Sequence, residues 1–251
     1  MEQAAQAAPT LRIARLATVE YSRALALQEG LAAARARGAV PDTLLLLEHP
    51  SVFTLGRGAD ARYLLNPPRE VPVYRVSRGG QVTYHGPGQL VGYPIVKLEG
   101  RARDVHDYLR CLEQVMIDAL LQCGIAAGRR PGLTGVWVEE RKVGSIGVGL
   151  RRWVTMHGFA LNVATDGRFF ETIVPCGIAG CRMTSVAAEG RADLGVTEMA
   201  AFIERSFTTV FSYRQVVTVE ANELWTASRE FSLPAREASG PDPGLGAVCQ
   251  C

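Results

Sequence analysis

Residues 134–163 read TGVWVEERKVGSIGVGLRRWVTMHGFALNV. Apolar or small residues alternate with the others at period two, and the polar interruptions EER and RR divide the stretch into three segments. Period two sends successive side chains to opposite faces, so the stretch predicts three successive strands. Strands that follow one another directly, interrupted by helices only now and then, favour an α+β fold over a doubly wound sheet.

The flanking sequence supplies the helices and the remaining strands. TVEYSRALALQEGLAAARARG (18–38) has helical spacing, with Thr18 expected to cap it and Gly38 to follow its end. DVHDYLRCLEQVMIDALLQCG (104–124) predicts a helix capped by Asp104 and ended by Gly124, and TEMAAFIERSFTTVFSYR (197–214) predicts another. TLLLLEHP (43–50) is a short apolar run bounded by turn residues, hence a buried strand; VPVYRVSRGG (71–80) and QLVGYPIVKL (89–98) add more. No repeat or linker divides the chain. The expectation is one domain over 11–233, a mixed sheet flanked by helices, with residues 1–10 and 234–251 as Ala/Pro/Gly-rich disordered tails.

Composition narrows the function classes. A net charge of +2 over 251 residues gives no ground for nucleic-acid binding. No apolar run approaches the ~18–20 residues a membrane span needs. The N-terminus lacks the basic and apolar regions of a signal peptide, which points to the cytoplasm. The six cysteines, at 111, 123, 176, 181, 249 and 251, are irregularly spaced and include no CxxC, so neither a disulfide framework nor a metal site is expected.

The strand KVGSIGVGL (142–150) carries G-x-x-G-x-G without the strand-then-helix context of a dinucleotide site. Its alternation puts Val143, Ser145, Gly147 and Gly149 on one face. A hairpin centred on Arg151–Arg152 would set Ser145 opposite Gly158 and Gly147 opposite Met156, clustering small residues there. Such a face admits a ligand or another stretch of chain close to the backbone, or it accommodates a packed helix. Both readings stand on periodicity alone.

In IVPCGIAGCRMTS (173–185), Cys176 lies between Pro175 and Gly177, flanks that hold a thiol out on an unusual turn. A buried small hydrophobe is the alternative, and Cys181, without such flanks, is assigned to it. A nucleophilic thiol needs a neighbouring cation or base. Lys142, His85 and His157 are the candidates. Lys142 stands near an expected turn, where solvation is the ordinary outcome; His157 is expected on the face opposite the small residues, packed beside Phe159. Spacing does not choose among them.

Three segments, RGGQVTYHGPGQLVGYPI (78–95), KVGSIGVGLRRWVTMHGFALNV (142–163) and IVPCGI (173–178), together with TLLLLEHPSVFTLGR (43–57), resemble the lipoyl(octanoyl) transferase family from about Leu11 to about Phe211. The resemblance implies a biotin/lipoyl protein ligase-like fold. It implies transfer of an octanoyl group from octanoyl-acyl carrier protein to a lysine of lipoyl domains, through a thioester on Cys176, in lipoate biosynthesis. Lys142 would lower the thiol pKa and shuttle its proton. Substrate-binding positions carry over to Arg78, Gly79, Gly80, Gln81, Val82, Thr83, Tyr84 and His85, to Ser145, Ile146 and Gly147, and to Gly158, Phe159 and Ala160. The implied acceptors are the lipoyl domains of 2-oxoacid dehydrogenase acyltransferase subunits and the glycine cleavage H protein. No cofactor or metal is implied.

The family commonly reads V-T-S after the cysteine motif, where this chain has Met183-Thr184-Ser185. An ATP-dependent lipoate or biotin protein ligase is the alternative on the same fold, but such ligases need no cysteine. Acidic carrier partners would meet basic residues at the pocket mouth, with Arg151, Arg152, Arg129 and Arg130 as candidates.

Overall fold

The computed structural model describes residues 10–100 and 103–231, so of the two expected tails, including Cys249 and Cys251, all but Thr10 lies outside the described residues. In chain order the elements are β1 (Thr10–Thr18), α1 (Tyr21–Ala36), β2 (Asp42–Glu48), β3 (Val52–Leu55), β4 (Val73–Arg75), β5 (Val82–His85), β6 (Gln89–Ile95) and α2 (Val105–Gln122). There follow β7 (Gly128–Arg130), β8 (Leu133–Val138), β9 (Arg141–Arg151), β10 (Val154–Asn162), β11 (Arg182–Met183), α3 (Val196–Val210), β12 (Gln215–Thr218) and α4 (Ala221–Phe231).

The main sheet runs β12-β1-β2-β6-β10-β9-β8-β7, with β11 beside β9. It is mixed: β1 pairs in parallel with β12 and β2, whereas β2, β6, β10, β9 and β8 pair antiparallel in turn. A small second sheet, β4-β3-β5, stands beside it. The expected mixed sheet flanked by helices is the observed architecture.

The four leucines of β2 show how the sequence builds both layers. Leu44 and Leu46 join the core beneath α2 and α3, while Leu45 and Leu47 join the core beneath α1 and α4. A strand buried on both faces reads as a continuous apolar run, as TLLLLE does. At roughly 1.5–3 kcal/mol per fully buried leucine, this one strand contributes substantially to both cores.

Helix α2 starts as the sequence predicts: the Asp104 carboxylate accepts from the amides of His106 and Asp107, and Gly124 follows its end at φ +81°. Helix α1 does not. Thr18 closes β1 against Glu48, and the N-cap is Glu20, without a side-chain cap bond. Pairing of the strand takes the residue that local propensity offers to the helix.

β1, β3, β7, β11, β12 and α4 lie beyond the sequence-based expectations, and every residue of β12 is exposed. The segment after Gly80, between two predicted strands, forms β5 against β3. Among the described residues no helix is long and apolar enough to cross a membrane.

Candidate active site

The β9–β10 hairpin forms the floor of the site, in a different register from the expected one. Gly158 faces Gly147, Ala160 faces Ser145 and Met156 faces Gly149. The turn is Arg152–Trp153, at φ +52° and +61°, one residue later than an Arg151–Arg152 centre, and this moves every partner by two positions. Positive φ at both positions is what a two-residue hairpin loop requires, because it matches the twist of the strands. Here Arg and Trp adopt it without glycine.

Both readings of the glycine-rich strand are realised, at different glycines. A Cβ on Gly147 would stand 3.0 Å from Arg78 Cδ, and one on Gly149 3.2 Å from the Ser77 carbonyl, so the small-residue face receives the Ser77–Gly79 chain. Gly79 N–H donates to the Val148 carbonyl at 2.8 Å. On the other face a Cβ on Gly144 would meet Met116 Sδ of α2 at 2.8 Å.

His157 corrects the alternation argument. It has φ +58°, and its ring lies against Gly149 on the small-residue face, with Nε2 3.1 Å from Ser77 Oγ. It lines the cavity rather than packing on the far side.

Lys142 is the second residue of β9. Alternation sends Arg141 outward to Glu139 and Glu189 and Lys142 inward, where it is 1% exposed. The solvated-turn expectation therefore fails. Lys142 Nζ donates to the Thr134 carbonyl at 2.9 Å and lies 3.2 Å from Cys176 Sγ and 5.3 Å from the Trp137 ring centroid.

Cys176 sits in a single 3₁₀ turn, Pro175–Gly177, at φ +56° and ψ 14°. Left-handed backbone at a non-glycine residue carries strain of order 1–3 kcal/mol that the surroundings must hold. Gly177 follows at φ +70° against Gln81, and Gln81 in turn accepts from the Asp60 amide. Ser145 Oγ lies 3.9 Å from Cys176 Sγ. Cys181, also a free thiol, has its sulfur 3.8 Å from Met183 Sδ, and burial raises its pKa.

These groups open onto a cavity of about 260 Å³. Of the predicted binding positions, Arg78, Gly80, Gln81, Val82, Thr83 and His85 line it. So do Ser145, Ile146, Gly147, Gly158, Phe159 and Ala160. Gly79 and Tyr84 do not. Gly79 serves the floor through its backbone, while Tyr84 is core, its hydroxyl 2.9 Å from Ser51 and its ring stacked on Phe169.

Tyr21, Tyr93, Thr134 and Ile178 line the cavity without a sequence signal that singled them out. Tyr21 looks like any apolar position of α1, and Thr134 contributes a carbonyl, which every residue has.

The cavity lining carries two basic side chains, Arg78 and Lys142, and no carboxylate. Burial holds His85 and His157 down to about 3, and His49 to about 4, so all three rings are neutral near neutral pH. That removes His85 and His157 as cationic partners of the thiol, and Lys142 is the candidate in contact. Arg78, 7% exposed, donates to the Thr54 carbonyl and hydroxyl and to the Gly79 carbonyl, all neutral oxygens. Burial lowers its pKa, and the charge of Cys176 acts in the opposite sense. Two buried cations thus face one thiol. No group of three or more His, Cys, Asp or Glu among the described residues is placed to hold a metal.

The basic residues proposed for docking are largely committed elsewhere. Arg129 pairs with the buried Glu113, and Arg130 pairs with Glu140 over the Trp137 ring. Arg151 and Arg152 stand at the hairpin end, about 30 Å along β9 from Lys142 at ~3.4 Å per residue.

Comparison with known proteins gives the family. Residues 20–208 match the lipoyl protein ligase A/B catalytic domain. The chain belongs to that family. It is 52% identical over 197 residues to an octanoyltransferase of Geobacter sulfurreducens, covering 78% of this chain and 83% of that one. It is 51% identical over 207 residues to an octanoyltransferase of Solibacter usitatus, covering 80% and 93%. With relatives of this kind, the family member described here is an acyltransferase.

Solved structures share the fold at low identity. A bi-partite lipoate protein ligase from Thermoplasma acidophilum superposes with TM-score 0.70 at 18% identity, covering 95% of this chain and 97% of that one. A biotin protein ligase from Leishmania major gives 0.51 at 12% identity, covering 94% and 88%. The biotin/lipoyl protein ligase-like fold implied by the sequence is thereby found.

Proposed function

We propose that this family member transfers an octanoyl group from octanoyl-acyl carrier protein to a lysine of lipoyl domains, in lipoate biosynthesis, through a thioester on Cys176. The observation that carries the reading is the buried Lys142 Nζ 3.2 Å from the Cys176 sulfur, both in the lining of one cavity.

The Cys176 thiolate attacks the donor thioester carbonyl. The C–S bond to the carrier breaks, and the departing carrier thiolate takes a proton from Lys142. The amine of the acceptor lysine then attacks the Cys176 thioester, its proton passes to Lys142, and Cys176 leaves as thiolate. Both pairs of bonds balance, and the thioester supplies the driving force for the amide, so no ATP enters. A site that separates attack from release through one covalent intermediate needs a nucleophile and a proton carrier within hydrogen-bond reach.

The acyl chain occupies the cavity above Gly147 and Gly158. Its six methylenes contribute about 5 kcal/mol of transfer free energy at ~0.8 kcal/mol each. The acceptors expected are the lipoyl domains of 2-oxoacid dehydrogenase acyltransferase subunits and the glycine cleavage H protein, met in the cytoplasm.

The deciding experiment is intact mass after mixing with octanoyl-acyl carrier protein and no acceptor. One octanoyl increment, absent in Cys176→Ser and cleaved by hydroxylamine, is expected. No increment, with turnover only on adding ATP and free octanoate, would assign an ATP-dependent ligase instead.

A further inference from the structure

One peptide group stands between a buried carboxylate and the buried lysine. Glu113 of α2, with no exposed surface, accepts the Gly135 N–H on Oε1 at 2.9 Å. The other end of the same peptide group, the Thr134 carbonyl, accepts Lys142 Nζ at 2.9 Å. Glu113 Oε2 is held by Arg110 at 2.5 Å and Arg129 at 2.9 Å. The backbone is shaped for this arrangement. Gly135 has φ +130°, and a Cβ there would stand 2.5 Å from Lys142 Cε and 2.6 Å from the Gly144 carbonyl.

We propose that Glu113 is a positioning residue for the Lys142–Cys176 pair, acting through the Thr134–Gly135 peptide group. This rests on the reading of Cys176 and Lys142 given above. A carboxylate accepting from the N–H end polarises the amide and makes its carbonyl a stronger acceptor, and such chains strengthen cooperatively in a low-dielectric interior. The strengthened carbonyl holds Lys142 as an ammonium and fixes one of its three donors. A second donor then points at Cys176, and the third remains for the reacting group.

The charged groups around this relay are few. Arg110 and Arg129 face Glu113, while Lys142 and the buried Arg78 face Cys176. Cys181 feels both Lys142 and Cys176, and Arg130 lies across the Trp137 ring. Glu113→Gln preserves an acceptor for Gly135, removes the charge, and also costs Arg110 and Arg129 the oxygen they donate to.

The test is the rate of iodoacetamide alkylation of Cys176, resolved by peptide mapping from Cys111, Cys123, Cys181, Cys249 and Cys251, between about pH 5 and pH 9. In Glu113→Gln the profile moves to higher pH, and alkylation at neutral pH slows about tenfold per unit of displacement. In a Lys142→Met background the same substitution produces no further displacement, because the effect runs through Lys142.

A Glu113→Gln profile that superimposes on the parent, whatever its melting temperature, overturns the inference and leaves Glu113 as a tie between α2 and the sheet. A parent enzyme whose Cys176 alkylates no faster than Cys181 overturns the thiol–lysine reading itself. If Glu113→Gln does not fold, the Gly135 amide resonance of the unaltered enzyme serves. It shifts when Cys176 is octanoylated if the relay exists, and its indifference to the acyl state overturns the relay.

Discussion

Lys142 Nζ lies 3.2 Å from Cys176 Sγ, although 34 residues and two different folds of backbone separate them. One comes from the inward face of β9, the other from a strained turn. Removing the ammonium leaves the thiol without a proton partner. Lys142→Met is expected to lower kcat/KM by about 10²–10⁴-fold, the usual span for a positioned acid–base group. Intact-mass time courses with octanoyl-acyl carrier protein check it; an unaltered rate of acyl-enzyme formation would refute the role.

If octanoyl occupies the cavity as proposed, a preference for it over shorter chains is expected. Shortening the acyl group by two methylenes forfeits about 1.6 kcal/mol, or roughly fifteenfold in kcat/KM. Gly147→Ala raises the floor beside Arg78 Cδ at 3.0 Å, so it penalises octanoyl more than hexanoyl thioesters and narrows that ratio. Competition between the two thioesters measures it directly.

Gly158 has a structural duty distinct from the floor. A Cβ there would run into the Gly92 carbonyl of the neighbouring strand, and Gly92 is itself covered by the Phe159 ring. Gly158→Ala should destabilise by roughly 1–3 kcal/mol, as overpacking does. For a chain of this size that lowers Tm by about 2–4 °C per kcal/mol. Gly167, with nothing within 4 Å of its Cβ position, provides the neutral comparison.

Acid stability follows from the three buried histidines. Their folded-state pKa values, about 4 for His49 and about 3 for His85 and His157, lie below the ordinary 6.5. The unfolded chain therefore binds more protons below pH 6.5. The stabilisation is fully present above that pH and is lost as pH falls through the window down to about 4 and then 3. Each histidine contributes a slope of about 1.4 kcal/mol per pH unit within its window. Urea midpoints between pH 7 and pH 4.5 should fall steeply, and His157→Gln should make the fall shallower. An unchanged slope in that variant would show that His157 titrates alike in both states.

Much of the fold is legible along the chain. The four leucines of β2, the Asp104 cap and Gly124 stop of α2, and the period-two run from Thr134 to Val163 announce their elements, because propensity and pattern agree there with the tertiary outcome. β12 stays hidden, since its four residues, Gln-Val-Val-Thr, show no period-two alternation. The hairpin register is not legible along the chain, because positive φ at Arg152 and Trp153 has no glycine to signal it.

The sequence by itself determined which side chains are available for the chemistry: one thiol between proline and glycine, one lysine at the head of a glycine-rich strand, and a glycine run able to accept close contact. Tertiary structure decided which of them meet. Only strand pairing turns Lys142 inward to bury it, and a positive φ brings His157 onto the floor. The contact of Glu113 with the Gly135 amide depends on α2 lying over the sheet. These are contacts between residues distant in sequence, made by backbone atoms and buried charges. Such groups carry no distinguishing residue type until the chain has folded around them.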